Sequence, residues 1–297
     1  MNRLHSYEDE VVYQIRKLLF SGFATRFSVE SLGKLKFGRW QYPLYKITVQ
    51  RPGNNLTKRD ILLSGIVHGD EPAGGLGILH FLDRHIHHYL DRFNFHCYPC
   101  VNPSGFEAEM RMNMDYINLN RSFTSPPPTK EVELIQQSLQ KGPSRYFLTM
   151  DMHESPPLAI DPKEDYGPED NPSAFWMWET AIKKSGLRIG DKIVAQLRKE
   201  NIHVCDWPKV YGETNNGGVI WYPIDAKGAL DATGKSLDAY LYKNHTNHSL
   251  TVETPTCWPL ETRIRTHARI ICLALDYSLP KPVLAKASAN KRRKNNA

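Results

Sequence analysis

The side chains best suited to chemistry in this sequence are two metal-ligand types three residues apart. The stretch His68-Gly69-Asp70-Glu71 supplies an imidazole and a carboxylate, and Gly69 with the following Pro72 favours a tight turn that opens a helix. Catalytic zinc takes three protein ligands of the His, Glu or Asp type and keeps one position open for water. The third ligand must come from elsewhere in the fold, and His153 is the best placed of the remaining histidines.

Three predicted strands end in residues that can bind a metal or move a proton. ILLSGIV runs into His68, YFLTMD runs into His153, and SLTV runs into Glu253. Ligand groups collect at the carboxyl ends of strands in α/β sheets, so these residues form a candidate constellation. Asp70 and Glu154 adjoin the predicted ligands and could hydrogen-bond to an imidazole. Four further histidines at irregular phase on one predicted helix are expected to face solvent: His80, His85, His87 and His88.

A layered α/β fold is expected to position these side chains. Apolar runs predict strands that begin at Leu44, Ile61, Phe95, Tyr146, Ile202, Val219 and Ser249. Helical patterns cover residues 8–19, 73–89, 130–140, 174–200 and 261–277, and surface loops are predicted at 125–129 and 162–173. The alternation predicts a central mixed, mostly parallel β-sheet flanked by helices, in a single domain of residues 1–285. A basic tail at 286–297 is expected to be disordered.

Composition excludes several classes of function. The chain has 297 residues, 40% of them hydrophobic, which suffices for one substantial core. No stretch approaches the roughly 18 apolar residues of a membrane span, so a soluble protein is expected. Five widely spaced cysteines and an amino terminus without a secretory apolar region predict reduced thiols and a cytoplasmic location. The net charge of +6 comes mostly from the tail, so nucleic-acid binding is not expected.

The order of further motifs carries a family resemblance. After HGDE come VNPSG at 101–105, RMNMDYINLNRSF at 111–123, MDMHE at 150–154 and TVET at 251–254. Five motifs in this order resemble the zinc metallocarboxypeptidases of the M14 type and their deacylase relatives, the aspartoacylases and succinylglutamate desuccinylases. The resemblance covers roughly residues 61–277.

The resemblance implies a role for each matching residue. His68, Glu71 and His153 would bind one zinc ion per chain, and Glu253 would be the catalytic glutamate. Such a glutamate takes a proton from the attacking water and passes it to the leaving amine.

Three polar residues of the RMNMDYINLNRSF motif match the substrate-handling groups of the family. Asn120 and Arg121 would clamp a substrate carboxylate, for which an arginine fork is well suited. Arg111 would face the scissile carbonyl, although a structural salt bridge is an alternative for it.

Two branches of the family remain open from the motifs. Few residues follow Glu253 and they predict one closing helix plus the tail, which favours a peptidase over an aspartoacylase-like deacylase with its long β-rich extension. The stretch ATGKSLDAY at 232–240 resembles the side-chain pocket of carboxypeptidases, with Leu237 at the specificity position and Lys235 in place of a glycine. The resemblance implies a tyrosine near residue 230, where this sequence has Leu230. Tyr222 and Tyr240 are the candidates to replace it.

Other readings concern the substrate and the absence of catalysis. The YGETNN segment at 211–216 and the compact layout are similar to bacterial murein peptide amidases, which would make cell-wall peptides the substrate. A metal- or carboxylate-binding protein without catalysis would require Glu253 to be inert. We therefore expect a peptide or acyl-amino-acid substrate with a free carboxylate.

Overall fold

An eight-stranded mixed sheet forms the centre of the protein in a computed structural model, which describes residues 4–20, 26–50, 58–155, 172–182, 187–224 and 234–278. The strands β1 to β10 are Phe27–Phe37, Trp40–Val49, Arg59–Gly65, Phe93–Tyr98, Leu148–Ser155, Trp176–Ile182, Lys209–Val210, Glu213–Thr214, Val219–Ile224 and His248–Pro255. The helices α1 to α7 are Tyr13–Leu18, Pro72–Arg84, Pro103–Ala108, Lys130–Gln140, Gly190–Lys199, Leu237–Asn244 and Leu260–Ser278.

The strand order in the sheet is β1-β2-β4-β3-β5-β10-β6-β9. Four pairings are parallel, namely β4 with β3, β3 with β5, β5 with β10, and β6 with β9. The other three are antiparallel. The predicted α/β class, a mixed and mostly parallel sheet flanked by helices in a single domain, is confirmed.

The two central strands β5 and β10 are buried along their whole length, yet only one of their faces is apolar. Successive side chains of a strand point to opposite faces. Met150, Met152, Leu250 and Val252 therefore share one face with the apolar core. On the opposite face, polar side chains lie in register up to the last pair, where Ser155 is opposite Pro255: Thr149, Asp151 and His153 on β5 and Ser249, Thr251 and Glu253 on β10.

Helices cover the two faces of these strands differently. On the apolar face, α2 approaches β5 so closely that a Cβ on Gly74 would lie 2.1 Å from the carbonyl oxygen of Met152. Helix α7 packs across α2 and α5 on this side. On the polar face, α6 packs on β5 and β10, and Asp238 of α6 accepts a hydrogen bond from Thr251. The polar face is thus enclosed between the sheet and the start of α6.

Most predicted elements agree with the structure, and one helix does not. The helix predicted at 174–200 is wrong in its first half, where β6 lies between β10 and β9, and only α5 is helical. Pairing on both edges overrides the helical periodicity of this segment. The strand predicted at Ile202 is reduced to an isolated bridge between Val204 and Phe175. The sequence patterns also missed β1 and α6.

Some expectations fall on residues that the structure leaves undescribed. The domain boundary at 285, the basic tail and most of the loop predicted at 162–173 lie outside the described residues. Within the described ranges, no helix combines the length and the apolar character needed to cross a membrane.

Gly69 is required by the close approach of two turns. A Cβ at this position would lie 2.0 Å from the carbonyl carbon of Gly105 in α3. We expect Gly69→Ala to lower the free energy of unfolding by about 3 kcal/mol, at the upper end for overpacking, because only backbone atoms would have to yield. The control is Gly38→Ala, where a Cβ has nothing within 4 Å and only the positive φ of 56° is penalised, by about 1–2 kcal/mol. Denaturant unfolding of both variants measures this difference, and equal losses would contradict it.

Candidate metal centre and active site

The turn after β3 delivers His68 and Glu71 to the polar face. Ile66 has a φ of 48°, a rare conformation for a β-branched residue, so backbone strain is stored just before the site. The backbone N–H groups of Val101 and Asn102 bond the carbonyls of Gly65 and Ile66 at 3.1 and 2.9 Å and hold this conformation. Glu71 then caps α2, whose first residue is Pro72.

Three buried side chains converge at this point. The Nδ1 atoms of His68 and His153 each lie 2.7 Å from a carboxylate oxygen of Glu71, one on Oε1 and the other on Oε2. One ligand atom from each of the three residues lies within 4.8 Å of the other two. The structure therefore brings together the three residues that the sequence predicted as metal ligands.

Asp151 orients the imidazole of His153. Its Oδ2 atom accepts a hydrogen bond from Nε2 of His153 at 2.9 Å, and its Oδ1 atom accepts one from Ser64 Oγ at 2.7 Å. A carboxylate on the remote nitrogen of a metal-binding histidine is the usual outer partner of such ligands. Nε2 donates this hydrogen bond, and the other ring nitrogen, Nδ1, faces Glu71.

This arrangement fits a bound cation. A neutral Nδ1 and a carboxylate oxygen are both acceptors, so their 2.7 Å separation is stable only if a proton or a metal ion lies between them. Burial lowers the pKa of His153, but the carboxylates of Asp151 and Glu71 outweigh burial and raise that pKa well above its usual value. Burial and the nearby Arg111 lower the pKa of His68 to about 4, which keeps its imidazole neutral. Two nitrogens and a carboxylate, desolvated and converging, are the donor set of a catalytic zinc site.

The two acidic neighbours of the ligands do not hydrogen-bond to an imidazole. Both carboxylate oxygens of Asp70 are buried without a hydrogen-bond partner, and burial together with the charge of Glu71 raises the pKa of Asp70 to about 7. Glu154 accepts from the backbone N–H of Ala73 at 2.6 Å and pairs with Arg263, so it anchors the start of α2 to α7. The sequence patterns did not predict that Asp151 accepts a hydrogen bond from the imidazole of His153. The period-2 spacing of Asp151 and His153 on one strand was the available signal.

Glu253 lies beside the three ligands. It is directly opposite His153 in the parallel pairing of β10 with β5, and its Oε2 accepts a hydrogen bond from Ser155 Oγ at 3.1 Å. Burial, followed by the charge of Glu71, raises the pKa of Glu253 to about 8. A carboxylate with a pKa in this range is able to accept and return a proton near neutral pH.

Arg111 contacts His68 and Glu71 directly. Its Nη1 atom lies 3.0 Å from Glu71 Oε1 and 3.1 Å from His68 Nδ1, with only 13% of the side chain exposed. A guanidinium at this position places a fixed positive charge at the edge of the metal centre. In the structure Arg111 also forms the salt bridge that was the alternative reading of its role.

The Asn120-Arg121 turn is joined to α6. Asn120 Oδ1 accepts from the backbone N–H of Leu237 at 2.9 Å, and Arg121 Nη1 donates to the Asn120 carbonyl at 3.0 Å. The structure therefore places this pair beside the helix that covers the polar face. Leu237, expected in a pocket wall, is 1% exposed and belongs to the main core, whereas Lys235 is exposed.

The two candidate tyrosines lie in packed surroundings. The ring of Tyr240 is 5.9 Å from Phe123 and 5.6 Å from His245, and burial raises its pKa. Tyr222 packs with the aromatic residues of β6. No described contact joins Tyr240 to His68, Glu71 or His153.

Comparison with known proteins agrees with this architecture. Residues 57–157 match the family of the succinylglutamate desuccinylase/aspartoacylase catalytic domain. Over 103 residues, or 31% of this chain, the sequence is 31% identical to carboxypeptidase SOL1 of Arabidopsis thaliana, and the match spans 20% of that protein.

Solved structures share the fold at low sequence identity. A candidate metallopeptidase from Shewanella amazonensis SB2B superimposes with a TM-score of 0.69 at 21% identity, covering 93% of both chains. Carboxypeptidase A from Helicoverpa armigera gives a TM-score of 0.61 at 16% identity, covering 92% of this chain and 72% of its own. The resemblance predicted from the motifs is confirmed, and the fold is that of metallocarboxypeptidase-like hydrolases.

Removal of either imidazole is expected to abolish metal binding. His68→Ala and His153→Ala each leave two of three donors, so we expect less than a tenth of the parent metal content after dialysis against zinc, measured by elemental analysis. His80→Ala and His85→Ala remove half-exposed histidines of the same region and serve as controls that keep the metal. Full zinc content in both ligand variants would contradict the assignment.

Proposed function

We propose that this protein is a zinc-dependent metallocarboxypeptidase that hydrolyses the amide bond next to a free carboxylate at the end of a peptide. The observation that carries the proposal is the buried group of His68, Glu71 and His153, with Glu253 directly opposite His153 on the next strand. A metal-binding protein without chemistry would have no need for a buried carboxylate at that point.

Zinc is the metal that suits these donors best. Nitrogen from two imidazoles and oxygen from one carboxylate form a borderline-soft set that leaves room for substrate and water. A bound zinc ion would supply Lewis acidity, lowering the pKa of a water ligand and polarising a carbonyl.

The chain's own residues would then move the proton and bind the substrate. Glu253 would take a proton from the attacking water and return it to the leaving amine, with its carboxylate held at a raised pKa until a cation is present. Arg111 would stabilise negative charge developing on the scissile carbonyl oxygen. Asn120 and Arg121 would receive the terminal carboxylate through charge-assisted hydrogen bonds.

A deacylase that releases an N-acyl group from an amino acid is the second candidate. It is favoured by the match of residues 57–157 to the succinylglutamate desuccinylase/aspartoacylase catalytic domain. Both candidates need the same metal, the same base and a free carboxylate, so they differ only in the group on the acyl side. Mass spectrometry of a mixed library of peptides and acyl-amino acids, incubated with the zinc-loaded protein, distinguishes them.

Glu253→Gln tests the chemistry. Glutamine keeps the shape and loses the basicity, so we expect turnover to fall by a factor of roughly 10²–10⁴ while zinc content and fold are retained. The parent kcat/KM should decrease as pH falls through the pKa of the metal-loaded base, because only the carboxylate accepts a proton. Loss of zinc in the variant would identify Glu253 as a ligand, and activity within tenfold of the parent would move the base elsewhere.

Arg121→Ala tests the recognition of the substrate's end. Loss of one charge-assisted pair is expected to lower kcat/KM by roughly 30-fold or more, from a penalty of about 2–5 kcal/mol. Carboxyl-amidated substrates should be equally poor for the parent and the variant, because the missing partner is then on the substrate. Arg16→Ala, at an exposed ion pair with Glu8, is the matched control and should match the parent. Equal cleavage of amidated and free-acid substrates by the parent would exclude a carboxypeptidase.

A further inference from the structure

A short chain of hydrogen bonds leads from β6 to the carboxylate of Glu253. The indole Nε1 of Trp176 donates to Ser155 Oγ at 3.0 Å, and Ser155 Oγ donates to Glu253 Oε2 at 3.1 Å. Trp176 is fully buried, Ser155 is 3% exposed and Glu253 is 9% exposed. Water therefore has little access to compete with these bonds, and each partner depends on the other two.

The chemistry of the three side chains decides which of them donates and which accepts in each hydrogen bond. An indole N–H can only donate, and the ionised form of Glu253, which is the form that acts as a base, can only accept. With Trp176 donating to its oxygen, the Ser155 hydroxyl keeps its own proton for Glu253 Oε2. That oxygen is therefore occupied, and among the described residues Oε1 has no hydrogen-bond partner.

Aromatic packing holds the indole of Trp176 in place. The rings of Trp178 and Tyr211 lie 4.3 and 5.4 Å from it, and Trp178 and Tyr211 are stacked at 6.0 Å. These residues belong to a second, small core with Ala174, Cys205, Val210 and Ile220. Tyr211 begins the YGETNN segment, at a φ of 51° between β7 and β8. Tyr211 of this segment therefore packs its ring against Trp176, the first donor in the chain of hydrogen bonds.

We propose that Ser155 and Trp176 are positioning residues that hold Glu253 by its Oε2 atom and leave Oε1 as the oxygen that exchanges the proton. The inference rests on the proposed function, in which Glu253 is the base. Neither residue is proposed to touch the substrate or the metal. Their contribution is to restrict the carboxylate to one orientation before the substrate arrives, which favours the transition state.

Three variants of the full-length, zinc-loaded protein test the proposal. Ser155→Ala should lower kcat by roughly 10- to 100-fold with KM within about twofold, as for the loss of one hydrogen bond to a charged group. Ser155→Thr keeps the hydroxyl and should restore kcat to within about threefold of the parent. Trp176→Phe removes the N–H together with part of the buried ring and frees the Ser155 hydroxyl to rotate, so a smaller loss of kcat, about 3- to 10-fold, is expected.

Ser138→Ala is the matched control. Ser138 is a buried serine of α4, away from Glu253. Its hydroxyl forms a hydrogen bond of 2.9 Å with the hydroxyl of Tyr98 in β4. This variant loses one buried hydrogen bond and should keep the parent kcat. Zinc content and the midpoint of thermal unfolding are measured for every variant, so a change of fold or metal is seen apart from activity.

The outcomes separate this inference from the proposed function. If Glu253→Gln is inactive but Ser155→Ala keeps kcat within twofold of the parent, positioning is refuted and the base remains. If Ser155→Ala loses zinc, or Ser155→Thr is no better than Ser155→Ala, the hydroxyl is a structural element and the proposal is overturned. Combined with Glu253→Gln, Ser155→Ala should change the residual turnover by less than twofold, because the carboxylate that it holds is already gone. A further tenfold loss would contradict the proposal.

Discussion

Two imidazole nitrogens and one carboxylate face one another in the buried interior of this protein, and much of the structure serves to keep them there. The imidazoles of His68 and His153 approach the two oxygens of Glu71 through Nδ1, and Asp151 holds His153 with its proton on the far nitrogen. Such a group is unfavourable unless a positive charge is shared between its members. Protons and a metal ion would therefore compete for the same place.

The surrounding elements make this arrangement rigid. The strained Ile66, the close approach of Gly69 to Gly105 and the anchoring of α2 by Glu154 all restrict the turn that carries two of the ligands. The third ligand and Glu253 come from adjacent parallel strands, whose pairing sets their separation. Rigid strands position catalytic groups more accurately than loops do. The strain and the buried polar groups cost stability, which the large apolar core on the opposite face offsets.

The polar face of the sheet also explains why two activities are compatible with one site. Under the proposed function, both activities would use the metal, the base and the arginine at the scissile bond. The difference between a peptide and an acyl-amino acid lies in the group beyond that bond.

The sequence alone determined the fold class and the metal-ligand candidates, because both are encoded locally. Apolar runs mark buried strands, and the residues that follow them, His68, His153 and Glu253, are visible as polar exceptions at strand ends. Motif order then added Arg111, Asn120 and Arg121 through a family resemblance. The sequence could not show that the first half of the helix predicted at 174–200 forms β6, because pairing with β10 and β9 depends on residues distant in the sequence. For the same reason only the tertiary structure identified Ser155 with Trp176 as the support of Glu253. Hydrogen bonds between neighbouring strands are set by register, and register is decided when the whole sheet assembles.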